Sequence, residues 1–169
     1  LAICYYGFLA SDVYVSESSF VVRSPDKPST SGFGVLLKSA GFSNASDEVF
    51  AAQDFIPSRD ALRAINGRGE FKAAYTAPDI SAFDRFDPTG VRGSFEDLYD
   101  YFRKKVAVNY DSSNSITKLT VRAFNPRAAY EFNERLLQLA EQTVNRLNER
   151  GRQDVIGFAQ AEVNQAKLE

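Results

Sequence analysis

From Asn125-Pro126 to Glu169, only Gly151 and Gly157 interrupt a run that otherwise suits a helix throughout. Asparagine is a favoured N-cap and proline is tolerated at the first helical position, so the sequence predicts a helix starting at Pro126. Phe132, Leu136, Leu139 or Ala140, Val144 and Leu147 recur at helical spacing as an apolar stripe, which Val155, Phe158 and Val163 continue more thinly. A helix of about 44 residues is about 66 Å long at 1.5 Å per residue. The chain has 169 residues, 44% of them apolar, enough for one domain with a core and short of two. A helix that long outruns such a domain. Its first half is expected to pack through Phe132, Leu136 and Leu147, and its second half to project as a stalk that continues past Glu169.

The segment before the helix reads as the sheet it packs on. Val106, Val108 and Tyr110 alternate with Ala107 and Asn109; after the polar run Asp111-Ser-Ser-Asn-Ser115, Thr117, Leu119, Val121 and Ala123 alternate with Lys118, Thr120 and Arg122. That pattern predicts a β-hairpin with a five-residue turn. Near the start of the chain Tyr14, Phe20 and Val22 share one strand face, with Ser16 and Ser18 between them, and Ser24-Pro25 closes the strand. A Pro/Ser loop over 26–30 and a short helix over 31–42, stopped by Gly41, are expected next. A second helical pattern runs from Asp47 to Asn66-Gly67. Pro57 should split it, and Ser58 suits the cap of the new helix, with Asp60 and Ala61 in its first turn.

Residues 66–94 read as the least regular part, with Phe83 and Phe86 pinning them to the domain. Ser94 then caps a helix over 95–105 through Phe95, Leu98, Tyr99 and Phe102. The order strand, helices, hairpin, long helix predicts an α+β layer domain, its small sheet covered by helices.

No methionine occurs anywhere, so Leu1 is expected to be an internal residue of a longer protein. The run Leu-Ala-Ile-Cys-Tyr-Tyr-Gly-Phe-Leu-Ala carries no charge until Asp12. A spanning helix needs about 20 apolar residues. Residues 1–11 are therefore read as the end of a truncated transmembrane helix, with Leu1, Ile3, Tyr5, Tyr6, Phe8 and Leu9 as its anchor. A signal peptide lacks its basic start here, and a buried strand or helix is the plainer alternative. The boundaries that follow are 1–11, a domain over 12–125, and a helix over 126–169.

With 20 basic and 22 acidic side chains, the chain has no net field to draw in nucleic acid. It has no histidine, which removes the usual proton shuttle, and its single Cys4 has no thiol partner. Gly32-Phe-Gly34 and Gly67-Arg-Gly69 continue into neither a Walker lysine nor a third Rossmann glycine. Neither a cofactor nor a metal is expected. Carboxylate pairs remain, Asp84 with Asp87 and Asp97 with Asp100, of the kind a glycosidase or cation site uses; a solvated helix face is their plainer role.

Two polar clusters stand out: Arg59, Asp60 and Arg63 after Pro57, and Arg122 and Arg127 around the strand-to-helix corner. Each suits salt bridges between copies of the chain or contact with an acidic glycan. The plainer reading is surface solvation, or a local bond holding Asp60 or Asp111.

Several segments together resemble the capsule polysaccharide export inner-membrane proteins, relatives of the Wzz-type chain-length regulators. They are Val15-Ser-Glu-Ser-Ser-Phe-Val-Val-Arg-Ser-Pro25, Gln53-Asp-Phe-Ile-Pro-Ser-Arg-Asp-Ala-Leu62, the hairpin over 108–124, and the helix over 136–154 with Asn145-Arg-Leu-Asn-Glu-Arg150. The resemblance implies a non-enzymatic polysaccharide co-polymerase anchored by two transmembrane helices, with this domain in the periplasm. Its implied partners are further copies in a ring, a capsule ABC transporter, an outer-membrane polysaccharide export protein and the capsular polysaccharide. Arg59, Asp60, Arg63, Arg122 and Arg127 are the candidate contacts between copies. A carbohydrate-processing enzyme using Asp84 and Asp87, and a membrane-tethered adaptor, stand as alternatives.

Overall fold

The computed structural model describes residues 10–21, 45–91 and 93–167. The expected anchor residues Leu1, Ile3, Tyr5, Tyr6, Phe8 and Leu9 lie outside the described residues, as do Cys4, Val22, the loop over 26–30 and the helix expected over 31–42. Among the described residues no helix is long and apolar enough to cross a membrane.

The elements run β1 (Tyr14–Phe20), α1 (Ala45–Phe55), α2 (Arg59–Ile65), α3 (Glu70–Thr76), α4 (Phe95–Lys105), β2 (Val106–Asp111), β3 (Ile116–Ala123) and α5 (Pro126–Ala166). The fold is α+β. One antiparallel sheet has the order β1-β3-β2, with Tyr14 opposite Ala123 and Val106 opposite Val121. Asp111 still pairs with Ile116, so the hairpin turn is four residues, 112–115, one fewer than its polar run predicts. The Asp111 carboxylate causes this. It accepts hydrogen bonds from the Ser113 amide and the Asn114 side chain, folding the turn back on itself, and Ser115 closes it at φ 55°.

Alternation decides what each strand buries. Thr117, Leu119, Val121 and Ala123 of β3 face inward, and Ser16, Ser18 and Phe20 of β1 are half-buried beside them. Helix α5 crosses that face. Asn125 caps it as its sequence predicts, its side-chain oxygen accepting from the Arg127 and Ala128 amides at 2.8 and 3.3 Å. Ala129, Phe132, Asn133, Leu136, Ala140 and Val144 are buried along it. Among the described residues the buried line stops there, before Leu147. That side chain is 41% exposed. Ile156, Phe158 and Val163 are exposed as well.

Pro57 does split the α1–α2 stretch, and Ser58 caps α2 by accepting from the Ala61 amide at 3.1 Å. Ser94 caps α4 in the same way, accepting from Asp97.

The segment 66–94 is more ordered than its prolines and glycines suggest. Gly69, at φ 80°, starts α3. Phe71 and Tyr75, one turn apart on it, are the largest fully buried aromatic side chains of the core together with Phe102. Phe71 stands 4.5 Å from Tyr75, 5.4 Å from Phe102 and 5.2 Å from Phe132, centroid to centroid. Of the two expected pins, Phe86 is buried against Tyr101, whereas Phe83 is 75% exposed.

Burial pushes the Tyr75 hydroxyl well above its ordinary pKa, so it stays protonated and donates to the Arg122 carbonyl at 2.7 Å. Tyr75→Phe leaves the ring packing intact and strips this one bond. Urea unfolding should show a loss of about 0.5–1.5 kcal/mol. No measurable loss would mean that the Arg122 carbonyl finds another donor.

Candidate functional surfaces

Ser58 turns the chain after Pro57, so α2 presents Arg59, Asp60 and Arg63 beside the start of α4. Arg59 grips Glu96 with two nitrogens, Nε at 3.1 Å from Oε1 and Nη2 at 2.7 Å from Oε2. Its guanidinium also lies over the Tyr99 ring at 4.3 Å. The mutual hydrogen bond holds the Glu96 carboxyl below its ordinary range and the Arg59 guanidinium above its own. Arg63 bonds Asp60 at 3.1 Å and covers Phe95 at 5.0 Å. The three expected residues thus share one exposed station with Glu96, Phe95 and Tyr99. Glu96 was not singled out in the sequence. Its signal is its place in the first turn of a Ser94-capped helix, which fixes where its side chain emerges.

Arg122 and Arg127 have different surroundings. Arg122 stands on the outer sheet face opposite Val15, with no carboxylate within 4 Å among the described residues. Arg127, in the first turn of α5, bonds Glu131 at 2.6 Å. Neither holds Asp111.

Asp84 is committed to the fold. Its Oδ2 accepts from the Ser11 amide at 3.0 Å, and its carbonyl accepts from the Tyr101 hydroxyl at 2.6 Å. Asp87 sits at φ 45° in the following turn. Asp97 serves the Ser94 cap and Asp100 is exposed. Among the described residues, no three histidine, cysteine, aspartate or glutamate side chains are grouped to hold a metal ion.

Two grooves flank α5. One, about 580 Å³, lies between Phe20, Ala52, Leu137 and Val144 and is rimmed by Asn145 and Arg152. The other, about 340 Å³, lies at the helix start among Glu70, Asp79, Phe124, Arg127, Glu131 and Arg135.

Fold and surfaces together define a small α+β domain carrying a helix that its own core covers over only the first half. No family model matches the chain. It is 43% identical over 164 residues to the capsule polysaccharide export inner-membrane protein BexC of Haemophilus influenzae, covering 96% of this chain and 43% of that protein. It is 40% identical over 161 residues to CtrB of Neisseria meningitidis serogroup A, covering 95% and 41%, and 27% identical over 165 residues to KpsE of Escherichia coli, covering 96% and 42%. Both of these are also named capsule polysaccharide export inner-membrane proteins. The chain is therefore homologous, along nearly its whole length, to a part of the capsule polysaccharide export inner-membrane proteins. It spans less than half the length of these relatives.

Proposed function

We propose that this domain serves capsule polysaccharide export at the bacterial inner membrane, as a periplasmic wall element with no chemistry of its own. Homology along nearly the whole chain to proteins named for that export carries the reading. The geometry is compatible with it. The Asp84 carboxylate of the enzyme alternative is held by the Ser11 amide, and α5 leads out of the domain for about half its length.

In this reading identical domains stand side by side around a path for the polymer, and α5 carries the wall onward, away from the membrane. Each contact in such a ring is heterologous and closes by rotation. The ring would join an ABC transporter to an outer-membrane polysaccharide channel. Arg59, Asp60 and Arg63 are its proposed neighbour contacts, with Arg122 and Arg127 secondary to them.

The mass of the full-length protein in mild detergent or native lipid discs tests this. A closed higher oligomer is expected; a clean monomer overturns the wall mechanism. Arg59→Glu combined with Arg63→Glu should shift the population toward smaller species. Exposed ion pairs contribute little to folding, so the circular dichroism spectrum should not change. Undiminished assembly would remove this station from the contact.

A further inference from the structure

Ser11 marks where the uncharged opening run gives way to the domain, and its position is fixed twice. Its hydroxyl accepts from the Ser81 amide at 2.7 Å, and its amide donates to Asp84 at 3.0 Å. The loop that holds it is braced. Arg85 donates to the Pro78 carbonyl at 2.9 Å and to the Ile80 carbonyl at 2.6 Å, and Tyr101 ties Asp84 to α4. Phe83 stands at the tip of this braced turn, 75% exposed, with Val13 and Tyr14 half-exposed on the chain just past Ser11.

The direction of the domain follows from its register. Tyr14 pairs with Ala123, three residues before α5 begins; Ser16 and Ser18 meet Asn133; Phe20 shares a groove with Leu137 and Val144. Strand β1 and helix α5 therefore run the same way, both leaving the end where Ser11 is held. Lys105 lies at that end too, over the Phe124 ring at 4.4 Å and the Tyr101 ring at 5.1 Å. Among the described residues, neither Lys105 nor Arg122 has a carboxylate within 4 Å.

We propose that this end of the domain rests on the lipid surface, with Phe83 seated at the boundary between headgroups and acyl chains. The inference rests on the reading that residues 1–11 end a membrane anchor. If they do, the two hydrogen bonds at Ser11 leave the 78–86 loop no room to stand far from the bilayer. An aromatic ring on a rigid turn is suited to that boundary. The carboxylates in and beside the loop, Asp79, Asp84 and Asp87, limit it to headgroup depth, and Lys105 and Arg122 are placed to meet lipid phosphates. The domain would thereby be docked at a fixed tilt rather than swinging on its anchor.

This chain contains no tryptophan, so Phe83→Trp adds an indole whose emission is read as the difference from the parent protein. The full-length variant is placed in lipid discs containing brominated phosphatidylcholine. Emission should fall about twofold, more for shallow than for deep bromines, as suits a side chain about 5–10 Å into the interface. Phe158→Trp, on the exposed half of α5, should be unaffected.

Absence of quenching at position 83 in protein that co-elutes with the discs overturns this inference and leaves the anchor reading standing. Failure to enter discs overturns both. An unquenched indole whose emission shifts on adding capsular polysaccharide would instead assign this end to the polymer, and that result also rejects the lipid contact.

Discussion

Phe71→Ala is expected to cost about 3–5 kcal/mol, the largest single effect in the domain. The ring is fully buried and packs against Tyr75, Phe102 and Phe132, which come from α3, α4 and α5. Removing it opens a cavity at the point where those helices meet, and rings held by packing from three directions relax little into the space. Edge and tilted contacts add about 0.5–1.5 kcal/mol per aromatic pair beyond the area buried. A whole domain has only about 5–15 kcal/mol to lose. Urea unfolding followed by far-ultraviolet circular dichroism should show a much lower midpoint. A loss below about 1 kcal/mol would mean that Phe71 is not central to the core.

The second large effect is expected at Asn133. Its side chain is 1% exposed under the sheet, where its Nδ2 donates to the Ser16 carbonyl at 2.9 Å and its Oδ1 accepts from the Ser18 hydroxyl. A weaker bond reaches the Leu119 carbonyl at 3.4 Å. One amide thus ties the edge strand β1 to α5. Asn133→Ala strands those buried groups and should cost about 1–3 kcal/mol, with amide exchange rising across residues 14–20. Asn133→Leu combined with Ser18→Ala should recover part of that loss, since removing both partners leaves fewer orphaned groups. Amide exchange unchanged in β1 would show that the β3 ladder alone holds the strand.

Elements that announce themselves through local chemistry were legible in the sequence. Asn125-Pro126, Ser94 and Ser58 each cap the helix they predict, and the alternation on either side of Asp111–Ser115 gives the hairpin. Helix α3 was not legible. Its seven residues follow a glycine without a side-chain cap, and its helical state depends on Phe71 and Tyr75 finding Phe102 and Phe132, contacts set by tertiary packing. The partial exposure of Leu147 has a related reason. A helical stripe shows which face is apolar, and the covering layer, absent from the pattern, decides where burial ends. Among the surfaces, the Arg59 station was visible as clustered charge, while its partner Glu96 lies 37 residues away and no spacing rule joins the two.

The end of burial at Val144 turns the rest of α5 into a lever. Residues 145–166 make about 33 Å of helix at 1.5 Å per residue. A tilt of about 10° at the base therefore sweeps the far end through about 6 Å, a displacement comparable to one helical turn. Gly151 and Gly157 lie within that arm with open space where a Cβ would be, so among the described residues no side chain packed at those two points resists bending. Small rotations of the base reach the far end amplified, and these two positions set how much of the swing the arm transmits and how much it absorbs.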